Sequence, residues 1–215
     1  MLRTIFLLSI VLSSTIASAQ NSRITQSKTK DSDSIIESSI QSITKLKHGI
    51  LLVRLDFQQR KISYYEKFEN FKESEEIKNK AIKINKIIVS TFDSLFKFCP
   101  VFFFTMEDSH NILSQNFDEV QFYNSKFDTV SDFGLTKENY LIGEFCFIEQ
   151  DKPAEAVTKY SMPAFVIRDV NFKQLRRPFP YYTIYFPLIK SSQRYNLPTR
   201  KINQKLYEYA IEAAF

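Results

Sequence analysis

Two short apolar runs, ILLVRL at residues 50–55 and CPVFFFTM at residues 99–106, stand on either side of a stretch, 58–97, that contains neither glycine nor proline. Each run is too short for a buried helix and is rich in branched or aromatic side chains, so each reads as a buried strand. The stretch between them is helical. Ile77, Ala81, Ile84, Ile88, Phe92 and Leu95 recur every three or four residues, which places them on one stripe of a helix. Ile62, Tyr65 and Phe68 form an earlier stripe, and the polar ENFKESEE between the two is out of phase with both. This predicts a helical hairpin whose second helix is capped by Ser74, with Glu75 and Glu76 at its positive end; one long helix is the alternative. Two strands joined by helices lie parallel, with a right-handed connection. The first half of the chain therefore belongs to an α/β arrangement.

Around this unit the pattern continues. Ser34 and Glu37 make a capping box ahead of Ile36, Ile40 and Ile43, so a first helix runs to about Lys47, and Gly49 closes it in the left-handed conformation open to a residue without Cβ. Asp108 or Ser109 caps a short helix through Leu113. VQFYN is a small strand, NYLIGEFCFIE a longer one from Tyr140 to Ile148, and AFVIRD another, followed by a turn at 169–171 and a continuation from Phe172 to Leu175. YYTIYF alternates as an edge strand does. A last helix begins at Thr199 and places Ile202, Leu206 and Tyr209 on one face. The expected fold is α/β in the mixed α+β sense: a single mixed sheet, parallel in its first half and antiparallel in its second, with helices packed on it in one domain over 34–215.

The sheet's core is built from rings, since the chain holds 21 Phe and 11 Tyr but no Trp. Residues 1–19, MLRTIFLLSIVLSSTIASA, have the cation, apolar run and small-residue triplet of a secretory signal peptide, with cleavage expected before Gln20. The run falls short of the roughly 20 apolar residues that span a bilayer, and no cysteine stands at the cut to take a lipid. Residues 20–33 read as a flexible polar leader. The expected location is periplasmic or secreted, without a transmembrane anchor.

Several chemistries are excluded by absence. Gly49, Gly134 and Gly143 are the only glycines, so no phosphate-cradling glycine loop can be written, and no nucleotide cofactor is expected. His48, His110, Cys99 and Cys146 have no local metal spacing, and no G-x-S-x-G elbow occurs. No cofactor or metal is implied. Cys99 and Cys146 sit in aromatic surroundings and are read as free, inert thiols.

Charge supplies the candidates. Residues 107–155 carry eleven acids against three lysines, whereas 156–215 carry ten cations against three acids. Such halves either neutralise each other or offer a basic patch to an anionic envelope component. Arg54, Glu144, Arg168 and Asp169 stand in or at the ends of apolar strands, where a charge must pair, face solvent or line a site. Ligands of open α/β sheets bind beyond the carboxyl ends of strands, where Asp56, Glu107 and Asp108 fall. The bland reading is that Glu144 pairs with an arginine and the acids cap turns. The functional one is a pocket of two guanidiniums for a carboxylate or phosphate. Arg176 and Arg177 extend this set among Lys173, Tyr181, Tyr182, Tyr185, Lys190 and Arg194, interleaved cations and rings that suit a polyanion or an edge guarded against aggregation.

The order of HGILLVRL, a charged helical hairpin, FCPVFFF, EFCFIEQD and AFVIRDVNFKQLRRPFPYY resembles a family of exported bacterial proteins to which no activity is assigned. The likeness covers about His48 to Tyr182 and the C-terminal helix. It implies an envelope location and one α/β-type domain, carries over no catalytic residue, and departs at Cys146, where the family has glycine. The function expected is a non-enzymatic binding or interaction domain, with a hydrolase of envelope polymers using strand-end carboxylates as the alternative.

Overall fold

A computed structural model describes residues 33–149, 162–189 and 191–214. The signal sequence, all of the leader but Asp33, Lys190 and the segment 150–161 lie outside these. The described residues form a helix α1 (33–48), then β1 (Ile50–Leu55), α2 (Gln59–Lys67), α3 (Phe71–Leu95), β2 (Val101–Thr105), α4 (Ser109–Leu113), β3 (Phe122–Tyr123), β4 (Thr129–Val130), β5 (Tyr140–Phe147), β6 (Pro163–Arg168), β7 (Tyr182–Ile184) and α5 (Ser191–Glu212). The strands make one seven-stranded sheet in the order β4-β3-β2-β1-β5-β6-β7. β1 is parallel to both neighbours, β2 and β5, and every pair outside them is antiparallel. The mixed sheet and the helical crossover between its first two strands are as the sequence implies.

Period-two alternation sends β1 to two cores. Leu51, Val53 and Leu55 meet Phe103, Leu141, Phe165 and Ile167 under α1, α3 and α5. Phe92 of α3 centres this layer, its ring 5.2 Å from that of Phe165 and 6.3 Å from that of Phe103. Ile50 and Leu52 face the other way, toward Phe104, Tyr140 and Ile142, beneath the connection that carries Ile112, Val120 and Phe122. Among the described residues no helix is long and apolar enough to cross a membrane.

Some details differ from the sequence reading. The second helix of the hairpin is capped by Asn70, whose Oδ1 accepts the Glu73 N–H at 3.4 Å, and it starts at Phe71. Ser74 is instead buried inside α3, and its hydroxyl donates to Glu66 Oε1 of α2 at 3.2 Å, tying the hairpin together. α5 starts at Ser191 rather than Thr199 and carries Pro198 within it; the Pro198 carbonyl accepts from Thr183 Oγ1 at 2.9 Å, fastening the helix to the edge strand β7. The two-residue β4 gives no periodic signal, and β1 gains a second parallel neighbour, β5.

Gly49 is not left-handed, since Gly134 is the described glycine with positive φ. A Cβ on Gly49 would lie 2.0 Å from the Asn139 carbonyl oxygen and 2.6 Å from that of Lys45, so glycine is required by backbone passing close by. Both obstructing atoms are main chain and cannot swing away. Gly49→Ala is expected to destabilise the domain by about 1–3 kcal/mol, read as a lower urea midpoint at unchanged m-value.

Candidate functional site

Arg54, Glu144 and Arg168 come from three adjacent strands, and pleating puts them on one face. Val53 pairs with Gly143, so Arg54 and Glu144 are the next residues along their parallel strands, while Arg168 opposes Ile142, two positions from Glu144. Both oxygens of Glu144 are taken: Oε2 accepts from Arg54 Nη2 and Oε1 from Arg168 Nε. The Glu144 side chain is 5% exposed, those of Arg168 and Arg54 10% and 19%, so the cluster is nearly sealed. Arg168 Nη1 reaches Glu149 Oε1 at 2.5 Å and the Phe172 carbonyl at 2.9 Å. The Arg54 guanidinium lies 5.4 Å from the Phe172 ring centre, and its Nη1 donates to Ser109 Oγ at 3.4 Å.

Burial, joined by the positive charge of Arg168, lowers the affinity of Arg54 for its proton. Burial also works against the Arg168 charge, but the hydrogen bonds to Glu149 and Cys146 outweigh it and raise its pKa. Cys146 Sγ accepts from Arg168 Nη2 at 3.7 Å, yet burial still pushes that thiol up. Burial pushes Cys99 up to about 12. Both cysteines are free; Cys99 packs on the helical core and Cys146 lies on the face of Glu144, so they are on opposite sides of the sheet. In both, burial favours the protonated thiol.

A cleft of about 750 Å³ opens beyond the carboxyl ends of β1 and β2, lined by Asp56, Gln58, Gln59, Arg60, Lys61, Ser63, Met106, Glu107, Ser109 and His110. Its shape follows from two corners. After β1, Asp56 Oδ1 accepts the Gln58 N–H at 2.7 Å while buried Asn85 of α3 donates to the Asp56 carbonyl at 3.0 Å, and Gln58 takes a φ of 57° to start α2. After β2, Thr105 Oγ1 donates to Asp108 Oδ2 at 2.8 Å, which turns Asp108 away to brace the corner and leaves Glu107 on the cleft wall. Ser109 joins the two sites, because it lines the cleft and touches Arg54.

The other expected residues lie elsewhere. Asp169 Oδ1 accepts the N–H groups of Asn171 and Lys173 at 2.9 and 2.8 Å, so it builds the turn that carries Phe172. Arg176 lines a separate cleft of about 340 Å³ with Asp169, Lys173 and four serines of α1. Arg177, cis to Pro178, borders a depression of about 250 Å³ with Tyr181, Tyr182 and Lys205. Tyr185 is turned inward against Phe145 and Tyr195, and Arg194 bonds to the Pro187 and Ile189 carbonyls. The cation-and-ring series is thus dispersed. Glu149, Ser109, Phe172 and the α2 residues of the cleft were not legible as site residues, although α2 follows directly from a strand's carboxyl end, where the general rule for open sheets points.

Among the described residues no group of three or more His, Cys, Asp or Glu is placed to hold a metal ion. No family model matches the chain, and no curated protein and no solved structure matches it.

Glu144→Gln leaves two guanidiniums facing a neutral amide and is expected to cost about 3–5 kcal/mol, whereas Glu149→Gln, whose side chain is 60% exposed, should cost less than about 1 kcal/mol; chemical denaturation compares them. The pH dependence has a fixed sign. The Cys99 thiol is held above its ordinary value of 9.0, up to about 12, so its contribution is complete below pH 9.0 and is lost as pH rises toward 12. Cys99→Ala should flatten the alkaline fall in stability over that window relative to wild type.

Proposed function

We propose that this chain is an exported envelope protein whose single domain binds a polar ligand in the cleft at the carboxyl ends of β1 and β2. The observation that carries this reading is the cleft itself: two parallel strands deliver Asp56 and Glu107 to its walls, and α2 adds Arg60, Lys61, Ser63 and two glutamines. Export rests on the layout of residues 1–19 and on the resemblance to an exported family. Binding without turnover is favoured by the state of the buried carboxylate. Glu144 has each oxygen engaged by a guanidinium, so it offers no free oxygen to a reacting group, as general acid–base work requires. The Arg54–Glu144–Arg168 cluster then braces the cleft from outside its lining, through the hydrogen bond from Arg54 to Ser109.

One observation favours the hydrolytic alternative: Asp56 and Glu107 share the cleft with His110. A pair of carboxylates facing one ligand is what acid and base roles need. The readings separate by experiment. A ligand that stabilises wild type in a thermal-shift panel of anions, sugars and peptides should lose its effect on the Arg60→Ala, Lys61→Ala double variant and keep it on Arg177→Ala. Turnover of that ligand, abolished by Asp56→Asn or Glu107→Gln with melting temperature unchanged, would establish the hydrolase instead. N-terminal sequencing of the protein from the cell envelope should begin at Gln20.

A further inference from the structure

Three large rings project into solvent at the hairpin of α2 and α3: Tyr64, Phe68 and Phe71 are 60%, 63% and 64% exposed. They form a line that starts at the cleft. Arg60 and Ser63 of α2 line the cleft, Tyr64 is four residues on from Arg60, and Phe68, four further, ends the helix. Residues four apart are neighbours on a helix surface, so Arg60, Tyr64 and Phe68 succeed one another over about 12 Å. Phe71 then opens α3 across a tight turn in which Glu69 has a φ of 57°. The Tyr64 and Phe68 rings are 4.9 Å apart and tilted by 56°, so they buttress each other. These rings are surplus to the hairpin, whose α2 buries Ile62 and whose polar tie is Ser74 to Glu66.

We propose that the cleft and these rings form one continuous track for a carbohydrate chain, with the end of the chain in the cleft and following sugars packed on Tyr64, Phe68 and Phe71. This assignment rests on the cleft being the binding site. The chemistry of the lining selects the occupant. Each sugar hydroxyl is both donor and acceptor, and the wall supplies both: the amides of Gln58 and Gln59, the Ser63 hydroxyl, the carboxylates of Asp56 and Glu107, and the donors of Arg60. A peptide anchored by apolar side chains requires an apolar socket, and Met106 is the one apolar side chain in the lining. A lipid surface is disfavoured by the charges between the rings, where Glu66, Glu69 and Glu73 alternate with Lys67 and Lys72. A sugar ring has a polar rim and an apolar C–H face, which matches rings set among such charges.

The test uses the mature protein, an array of neutral, amino-sugar and uronate-containing oligosaccharides from disaccharide to hexasaccharide, and a matching set of acidic peptides. Wild type is expected to bind at least one glycan series, with the hexasaccharide tighter than the disaccharide by about tenfold or more. The Tyr64→Ala, Phe68→Ala double variant should reduce hexasaccharide affinity to that of the disaccharide and leave the disaccharide unchanged; both side chains are exposed, so folding is preserved. Glycan binding that is independent of length and insensitive to that variant overturns the track while leaving the cleft intact, provided that Arg60→Ala with Lys61→Ala still abolishes it. Insensitivity to the cleft variant overturns the cleft reading itself. Binding to the peptides alone, or to nothing on the array, overturns the carbohydrate assignment.

Discussion

The sheet is organised around a charge in its middle strand. β1 has a parallel neighbour on each side and five of its six residues are buried, which leaves Arg54 to be neutralised within the protein. An unpaired guanidinium at that depth would cost several kcal/mol, so the partner must be built into the adjoining strands. β5 supplies Glu144 at the matching level, and β6 returns antiparallel with Arg168 to hold the second oxygen. Three strands that are far apart in sequence are thereby fixed in register by one carboxylate. A slip of one residue in any of them would turn its charge into the helical core.

The same cluster resolves the uneven distribution of charge along the chain. Glu144 and Glu149 belong to the acidic middle portion and Arg168 to the basic final one, and their ion pairs join the two portions across β5 and β6. Complementarity within the molecule is therefore realised at its most buried charged point among the described residues, while Arg176, Arg177 and Arg194 lie on separate surfaces. Arg176 and Arg177 are neighbours in sequence that line different depressions.

Much of the architecture was legible because apolar periodicity reports burial directly. ILLVRL, VFFF, LIGEF and AFVIR each became a strand, and the stripe from Ile77 to Leu95 became the long helix α3. Boundaries were less so, since caps are chosen by local geometry that several residues can satisfy: Ser74 read as the cap, yet Asn70 takes that place and Ser74 goes inside to meet Glu66. Pro198 hid the first turns of α5 because proline ordinarily marks a helix start. Gly49 was read as a left-handed helix end, whereas what requires glycine there is the approach of the Lys45 and Asn139 carbonyls, and no local pattern announces the distant Asn139. Of the candidate residues, Arg54, Glu144 and Arg168 stood out because charges inside apolar strands must be accounted for. The cleft was harder to see. Its α2 wall lies in a polar stretch where arginines, lysines and glutamines are common on any solvated helix, and only the convergence of two strand ends sets them around a cleft.

Ser109 has a further consequence, which concerns proton direction. Its single hydroxyl hydrogen is committed to the Met106 carbonyl at 2.6 Å, and one lone pair faces Arg54. What this hydroxyl can show to an incoming molecule is therefore an electron pair and never a hydrogen. At this one point of the lining an O–H or N–H group would find an acceptor, while the donors that an anion would need lie elsewhere on the wall, at Arg60 and Lys61.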